Sequence, residues 1–419
     1  MPWVLLAFGL VCALAAVISI APPRWPGVAT VAAWPVGWLV SELPLHQAAV
    51  QLAVTVALAL AGGARAWPGW LGLAAVLGSL VILRHHLIAA ARSTGLVERA
   101  LREALGRDYH DHIDPALRAA YDPTTPWRRL VWPVPRRPRD VARVTHVAYG
   151  EHRRHRLDVY HPTAAGTAPR PVFVYVHGGG WVVGDKRQQG LLTVHELARA
   201  GWVCVSVNYR LSPGATFPDH LIDVKRALAW VQANIAAHGG DPRFVMIGGG
   251  SAGGHLASLA ALTANDPRYQ PGFEDVDTAL AGCVSYYGVY DFTDGARTFH
   301  HRAFRELVLA RVVLKRPLDD EAAYAAASPL AQLARPTAPP PFMVIHGTRD
   351  NLVPVRMARE FVRAARARGG TVAFVELPLA HHAFELFPSL RSVVVVHGVH
   401  RFCQAIYSRW RAAHPEPDR

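Results

Sequence analysis

No charged side chain precedes Arg24, and the next charged residues, Glu42, Arg65 and Arg84, are separated by 17, 22 and 18 uncharged positions. A helix that crosses a bilayer core needs about 20 mostly apolar residues, with a range of about 17 to 25. Residues 3–20, 48–61 with their flanks, and 67–83 therefore read as membrane spans. The run 28–40 is shorter and broken by Pro35 and Gly37, so three or four spans are expected. Trp3, Trp25, Trp34, Trp38, Trp67 and Trp70 fall near run ends, where interfacial aromatics concentrate. A cleavable signal peptide fits poorly, because residues 1–20 lack a basic stretch and further apolar runs follow. Buried soluble helices fit poorly too, because the windows show little amphipathic period. Arg84, Arg92, Arg99 and Arg102 come directly after the last run. The positive-inside rule then puts the rest of the chain in the cytoplasm, with the N-terminus outside for three spans and inside for four. The expectation is a multi-pass protein whose N-terminal partner is membrane lipid.

The formal net charge of +13 invites a nucleic-acid reading, but no RNA- or DNA-binding motif accompanies it. Only Lys186, Lys225 and Lys315 are lysines; every other basic residue is Arg, which points to compositional bias and to no nucleic-acid partner. Cys12, Cys204, Cys283 and Cys403 are widely spaced, and the histidine pairs at 85–86, 300–301 and 381–382 lack metal-ligand spacing. No metal or other cofactor is expected. Residues 84–140 read as a juxtamembrane connector: an amphipathic helix, then a Pro- and Arg-rich stretch. In that stretch Trp127 and Trp132 sit among Arg128, Arg129, Arg136 and Arg137, a mixture suited to anionic headgroups or to a solvated linker.

Residues 141–414 alternate strand and helix. Strands are predicted at 156–162, 171–177, 203–209, 243–248, 283–288, 341–347 and 371–377, with helices at 191–200, 221–237, 252–263, 355–368 and 390–410. β-branched strands between helices argue a doubly wound, mostly parallel α/β sheet covered on both faces. The interval 294–335 breaks the rhythm and could form part of a cap.

Within this pattern, residues 248–255 read GGGSAGGH, which satisfies both G-x-G-x-x-G and G-x-S-x-G. A dinucleotide site needs an early strand–turn–helix unit and an acid near the end of the next strand. Here at least two strand–helix steps come first, and the strand at 283–288 meets no acid before Asp291. The serine reading fares better. A nucleophilic Ser251 needs a base and an acid to orient it, after successive strand ends and in the order Ser, acid, His. Asp350 follows the strand at 341–347, and His381 and His382 follow the strand at 371–377. Asp291 and Asp294 come one strand too early. The HGGGW run at 177–181 can turn backbone amides toward an oxyanion, with Gly179, Gly180 and Ala252 as the expected donors. His177 should shape that loop, and Tyr209, Arg210 and Asp223 should brace it.

HGGGW, NYRLSP (208–213), GGSAGG (249–254), RDNLVP (349–354) and HHAF (381–384) together resemble the hormone-sensitive-lipase-like carboxylesterase branch of the α/β-hydrolase superfamily. The resemblance covers roughly residues 145–412. It implies an α/β-hydrolase fold, a Ser251–Asp350–His382 triad with His382 as the histidine before Ala-Phe, and an oxyanion loop of Gly178, Gly179 and Gly180. That branch often carries an acid just before the serine, where this chain has Gly250. The implied activity is hydrolysis of small hydrophobic esters through an acyl-enzyme; Trp181, Phe217 and Phe384 are candidate pocket residues, each equally readable as a core aromatic. A formamidase- or amidase-like C–N hydrolase uses the same machinery. A non-catalytic binding protein fits less well with the intact set.

Overall fold

The fold was analysed in a computed structural model that describes residues 1–23, 28–119, 130–164, 168–295, 297 and 304–415. Arg24, Trp25, Trp127, Arg128, Arg129, His300 and His301 lie outside the described residues. The chain opens with four helices: α1 (Pro2–Ile20), α2 (Val28–Glu42), α3 (Pro44–Leu60) and α4 (Trp67–Leu105). Proline stands in the first turn of α1, α3 and α4, where its fixed φ and missing N–H cost nothing. α1 and α4 are each long and apolar enough to cross a membrane; α2 and α3, bent by 91° at their junction, could make a third span only as a pair.

α1 and α4 lie side by side and run the same way. Trp3 meets Trp67 at 5.5 Å, Gly9 meets Gly72, and Ser19 Oγ meets His86 Nε2 at 2.7 Å. A Cβ on Gly9 would fall 2.3 Å from the Gly72 carbonyl oxygen, so the backbones touch through small residues. Leu10, Leu14, Val50, Val56, Leu71, Leu77 and other large apolar side chains of this bundle face outward, uncovered by protein.

α4 does not stop where charge begins. It continues 39 residues in all, and Val97, Ala100, Leu101 and Leu105 of its second half are buried in the core of the following domain. That face packs on α9 (Leu390–Ala413), where a Cβ at Gly398 would lie 2.2 Å from Val97 Cγ1. The stretch read as an amphipathic connector helix is thus a wall of the core.

The domain is built on eight strands: β1 (Val141–Ala148), β2 (Arg156–Pro162), β3 (Arg170–Val176), β4 (Val203–Val207), β5 (Gly240–Gly250), β6 (Gly282–Tyr286), β7 (Phe342–Gly347) and β8 (Val372–Leu377). Their order is β1-β2-β4-β3-β5-β6-β7-β8. The pairs β1–β2 and β2–β4 are antiparallel and all others parallel. β3 to β8 are Val-, Ile- and Phe-rich and largely buried, as strands covered on both faces must be. β1 was not among the expected strands: it is an edge strand with mostly exposed residues and a register break between Val144 and Val147.

One face of the sheet is covered by α6 (Asp219–Asn234), α7 (Ala252–Leu262) and α8 (Val355–Ala367), the other by α4, α5 (Leu191–Arg199) and α9. The irregular stretch at 304–335 packs on the first face, partly through a π-helical segment, Phe304–Val313. Parallel register sets Val176 beside Gly249 and Gly347 beside Leu377, so the loops after β3, β5, β7 and β8 leave one edge of the sheet.

Gly398→Val should lower stability by about 1–3 kcal/mol, the usual cost of forcing extra atoms into a packed contact. Thermal unfolding of the full chain measures it. An unchanged melting temperature would mean that α4 does not pack on α9.

Candidate active site

β5 ends in three glycines and α7 begins at Ala252, so Ser251 sits on the turn between them with φ 56° and ψ −121°. That left-handed backbone is strained for a serine and is held by its surroundings. The Ser251 amide donates to Tyr286 O at 2.9 Å, and Ser251 O accepts from the His255 amide at 2.9 Å. A Cβ on Gly253 would lie 2.1 Å from Val176 O, and one on Gly249 would lie 2.5 Å from Gly253, so side chains are excluded on both flanks. At Gly250 a Cβ would come 2.9 Å from the Tyr287 hydroxyl. The position before the serine is thus closed to a side chain by a tyrosine.

The loops after β7 and β8 bring the two remaining candidates to this turn. His382 Nε2 lies 2.8 Å from Ser251 Oγ, and His382 Nδ1 lies 2.7 Å from Asp350 Oδ2. The other carboxylate oxygen of Asp350 accepts the amides of Leu352 at 3.0 Å and Val353 at 2.8 Å. His346 Nε2 stands 3.4 Å from Asp350 Oδ2. Burial by itself would raise the Asp350 carboxyl, but His382 and His346 beside it hold it well below the usual carboxylate range. Ser251 remains partly exposed, so its hydroxyl can be reached. His381 turns away from this chain of contacts and meets Ser19 O at 2.8 Å.

Asp291 and Asp294 are occupied elsewhere. Asp291 accepts the amide of Thr293 at 2.9 Å and its hydroxyl at 2.5 Å, and Asp294 pairs with Arg305 at 3.6 Å. His177 is buried, and burial lowers its imidazole to about 4. It stacks on Tyr209 at 4.5 Å, and the Tyr209 hydroxyl donates to His177 O at 3.1 Å. Arg210 grips the buried Asp223 at 2.8 Å, completing the brace.

The glycine loop after β3 divides its labour. The Gly178 amide donates to Gln189 Oε1 at 2.7 Å, so Gly178 shapes the loop and its N–H is not free for an oxyanion. Gly179 and Gly180 take φ of 108° and 59°, and a Cβ on Gly180 would meet nothing within 4 Å. Among the described residues no backbone acceptor engages the Gly179, Gly180 or Ala252 amides.

The three aromatics named as pocket candidates divide as well. Trp181 is a core residue: it is 1% exposed, its indole N–H donates to His255 Nδ1 at 3.2 Å, and its ring meets Phe292 edge-on. Phe384 is fully buried against Tyr286 and Tyr287 beneath His382. Neither offers a surface to a ligand, because both spend their faces on neighbouring rings. Phe217 is half-buried and leans toward Tyr269 at 6.1 Å.

Two features were not legible in advance. Glu385 is buried below the histidine loop, accepting from the Tyr287 hydroxyl, while Tyr287 packs its ring 4.5 Å from that of His382. Burial raises the Glu385 carboxyl to about 6. The other is α2, whose Trp34 and Trp38 indoles donate to His382 O at 3.0 Å and Ala383 O at 2.9 Å. A lone acid and two tryptophans in an apolar run carry no motif that would single them out.

Comparison with known proteins fits this geometry. A family model described as BD-FAE matches residues 157–364. The probable carboxylic ester hydrolase LipM of Mycobacterium tuberculosis is 40% identical over 418 residues, covering 97% of this chain and 94% of the relative. Esterase LipQ of the same organism is 40% identical over 334 residues, covering 77% and 76%. The solved structure of Esterase B from Lactobacillus rhamnosis covers 78% of this chain and 100% of its own, with a TM-score of 0.56 at 20% identity, a likeness of fold. The protein is a carboxylesterase on an α/β-hydrolase scaffold. It belongs to the esterase family that LipM and LipQ represent, and the match to LipM extends into the N-terminal helices.

Asp350→Asn should leave the protein folded and lower kcat by about 10⁴-fold, as loss of the orienting carboxylate does in serine triads. Hydrolysis of a short aryl ester checks it; a loss of less than tenfold would remove Asp350 from the mechanism. Glu385 gives a pH dependence. Its folded value of about 6 lies above the ordinary 4.5, so its contribution to stability is complete below 4.5 and lost as pH rises through 6. The loss is about 2 kcal/mol at 1.36 kcal/mol per unit. Glu385→Gln should therefore gain that much on the native protein between pH 4.5 and 7.5 in thermal unfolding; parallel curves would contradict it.

Proposed function

We propose that this carboxylesterase is membrane-anchored and cleaves hydrophobic esters through an acyl-enzyme on Ser251. The observation that carries the reading is the unbroken chain from Ser251 Oγ through His382 to Asp350, at 2.8 and 2.7 Å. His382 Nε2 takes the hydroxyl proton as Oγ attacks the ester carbonyl, and Asp350 stabilises the imidazolium on the other side of the ring. The amides of Gly179, Gly180 and Ala252 receive the tetrahedral oxyanion. His382 then returns the proton to the leaving alcohol and activates the water that frees the acid. An ionised Asp350 suits this cycle, because the imidazole must gain and lose charge at each turnover.

Preference for hydrophobic esters is supported by Val182 and Val183, which follow the glycine loop and are exposed. Anchoring is supported by the apolar bundle, whose outward side chains have no protein cover. Three crossings fit best. α1 and α4 run in parallel toward the hydrolase, and α3 connects Glu42, beside Arg391, back to Gly63, beside Leu58 and Leu5. α2, bent by 91° from α3, completes this third span as its hydrolase-side part. Arg84, Arg92, Arg99 and Arg102 on that end then favour a cytoplasmic catalytic domain and an N-terminus on the opposite side.

A fluorophosphonate should label Ser251 and no other serine, and Ser251→Ala should abolish labelling and turnover. Labelling at another residue would overturn the acyl-enzyme assignment. Across aryl esters of increasing acyl length, kcat/KM should rise and then plateau. A steady fall from acetate onward would contradict the hydrophobic preference.

A further inference from the structure

α2 has the composition of a membrane helix, yet its most distinctive side chains are spent on protein. Trp34 and Trp38 lie one helical turn apart and stack on each other at 5.4 Å, with ring planes 16° apart. Their indole N–H groups donate to the carbonyls of two consecutive residues, His382 at 3.0 Å and Ala383 at 2.9 Å. Trp38 also stacks on Phe387 at 4.7 Å, and Trp34 stands edge-on to the His382 ring at 6.5 Å. Between the two tryptophans, Gly37 lets the helix come close: a Cβ there would lie 2.5 Å from His381 Cε1.

Both ends of the same helix are fixed to the same region. Thr30 O accepts from Asn351 Nδ2 at 3.1 Å, one residue beyond Asp350. At the other end Glu42 forms a buried ion pair with Arg391 and accepts from Ser389 Oγ at 2.9 Å. α2 therefore spans the loop that carries His382 from the Asp350 side to the start of α9. The loop needs such support. Ala383, directly after the histidine, is held at φ 62° and ψ 30°, a left-handed conformation that alanine adopts only when its neighbours impose it.

We propose that Trp34 and Trp38 are positioning residues for ester hydrolysis, holding the two consecutive peptide carbonyls of His382 and Ala383 so that the imidazole stays in line with Ser251 and Asp350. The N-terminal segment is then a working part of the active site as well as an anchor. A catalytic group must be held to within about 0.5 Å and 10–20° of its productive geometry. A loop released by α2 would not keep that tolerance. The proposal rests on the reading of Ser251, His382 and Asp350 as the triad.

The test uses the full chain in detergent with p-nitrophenyl butyrate and compares Trp34→Phe, Trp38→Phe and Ser251→Ala with the parent. Phenylalanine keeps an aromatic ring and removes the N–H. Rates are normalised to the sites labelled by a fluorophosphonate at completion, so misfolded material does not count. Each tryptophan variant should lose about 10- to 100-fold in kcat, the scale of a roughly 1 Å misplacement. KM should stay within about twofold, and the labelling rate constant should fall in step with kcat. The melting temperature should remain close to that of the parent. A normalised kcat within twofold of the parent in both variants would overturn the proposal, as would a loss that appears only in the labelled fraction and the melting temperature. Turnover retained by Ser251→Ala would instead overturn the triad reading beneath it.

Discussion

Close approach of backbone to backbone at the turn around Ser251 is the constraint on which the rest of the site depends. Gly253 lies against the carbonyls of Val176 and His177, and Gly178 against that of Gly250, at distances no Cβ could share. These contacts press the end of β3 against the start of α7, putting Ser251 and the glycine loop beside each other without an intervening side chain. The strained φ at Ser251 follows from the same crowding. Once that turn is set, parallel register delivers Asp350 and His382 from the ends of β7 and β8.

Charge around the site is arranged around one ionised group. Asp350 keeps its negative charge despite burial because two imidazoles and two amides face it. Glu385, equally buried, has a tyrosine hydroxyl instead, and its other oxygen, Oε1, has no partner among the described residues. Asp350 meets the histidine loop through His382 and Glu385 is part of that loop, yet the two carboxyls are pushed in opposite directions. Only the first is suited to stabilising an imidazolium.

Much of this could be read from the chain. That Ser251, Asp350 and His382 meet was legible because the order of strand ends brings the three loops together, and the sheet was legible because its buried strands are continuous apolar runs. β1 escaped notice because an exposed edge strand has neither alternation nor a run. Trp181 and Phe384 were open between pocket and core, since an aromatic's sequence neighbours do not say which face it shows. The same ambiguity hid the role of α2. Apolar residues facing lipid and apolar residues facing protein look alike, and only the partners of the Trp34 and Trp38 N–H groups tell them apart. The beginning of charge at Arg84 suggested a boundary, whereas the apolar positions of α4 simply change neighbours there and keep their period.

That continuity means the molecule has no seam. Positions 83 and 84 are mid-helix, with backbone hydrogen bonds crossing them, so severing the chain there would create a raw helix end with four unsatisfied amides. Severing it after Leu105 would withdraw Val97, Leu101 and Leu105 from the core and lay bare the faces of α9 and β8 that they cover. A water-soluble half cannot be lifted off cleanly at either point. The bundle and the sheet share one rod, so side-chain packing joins them as well as the chain itself.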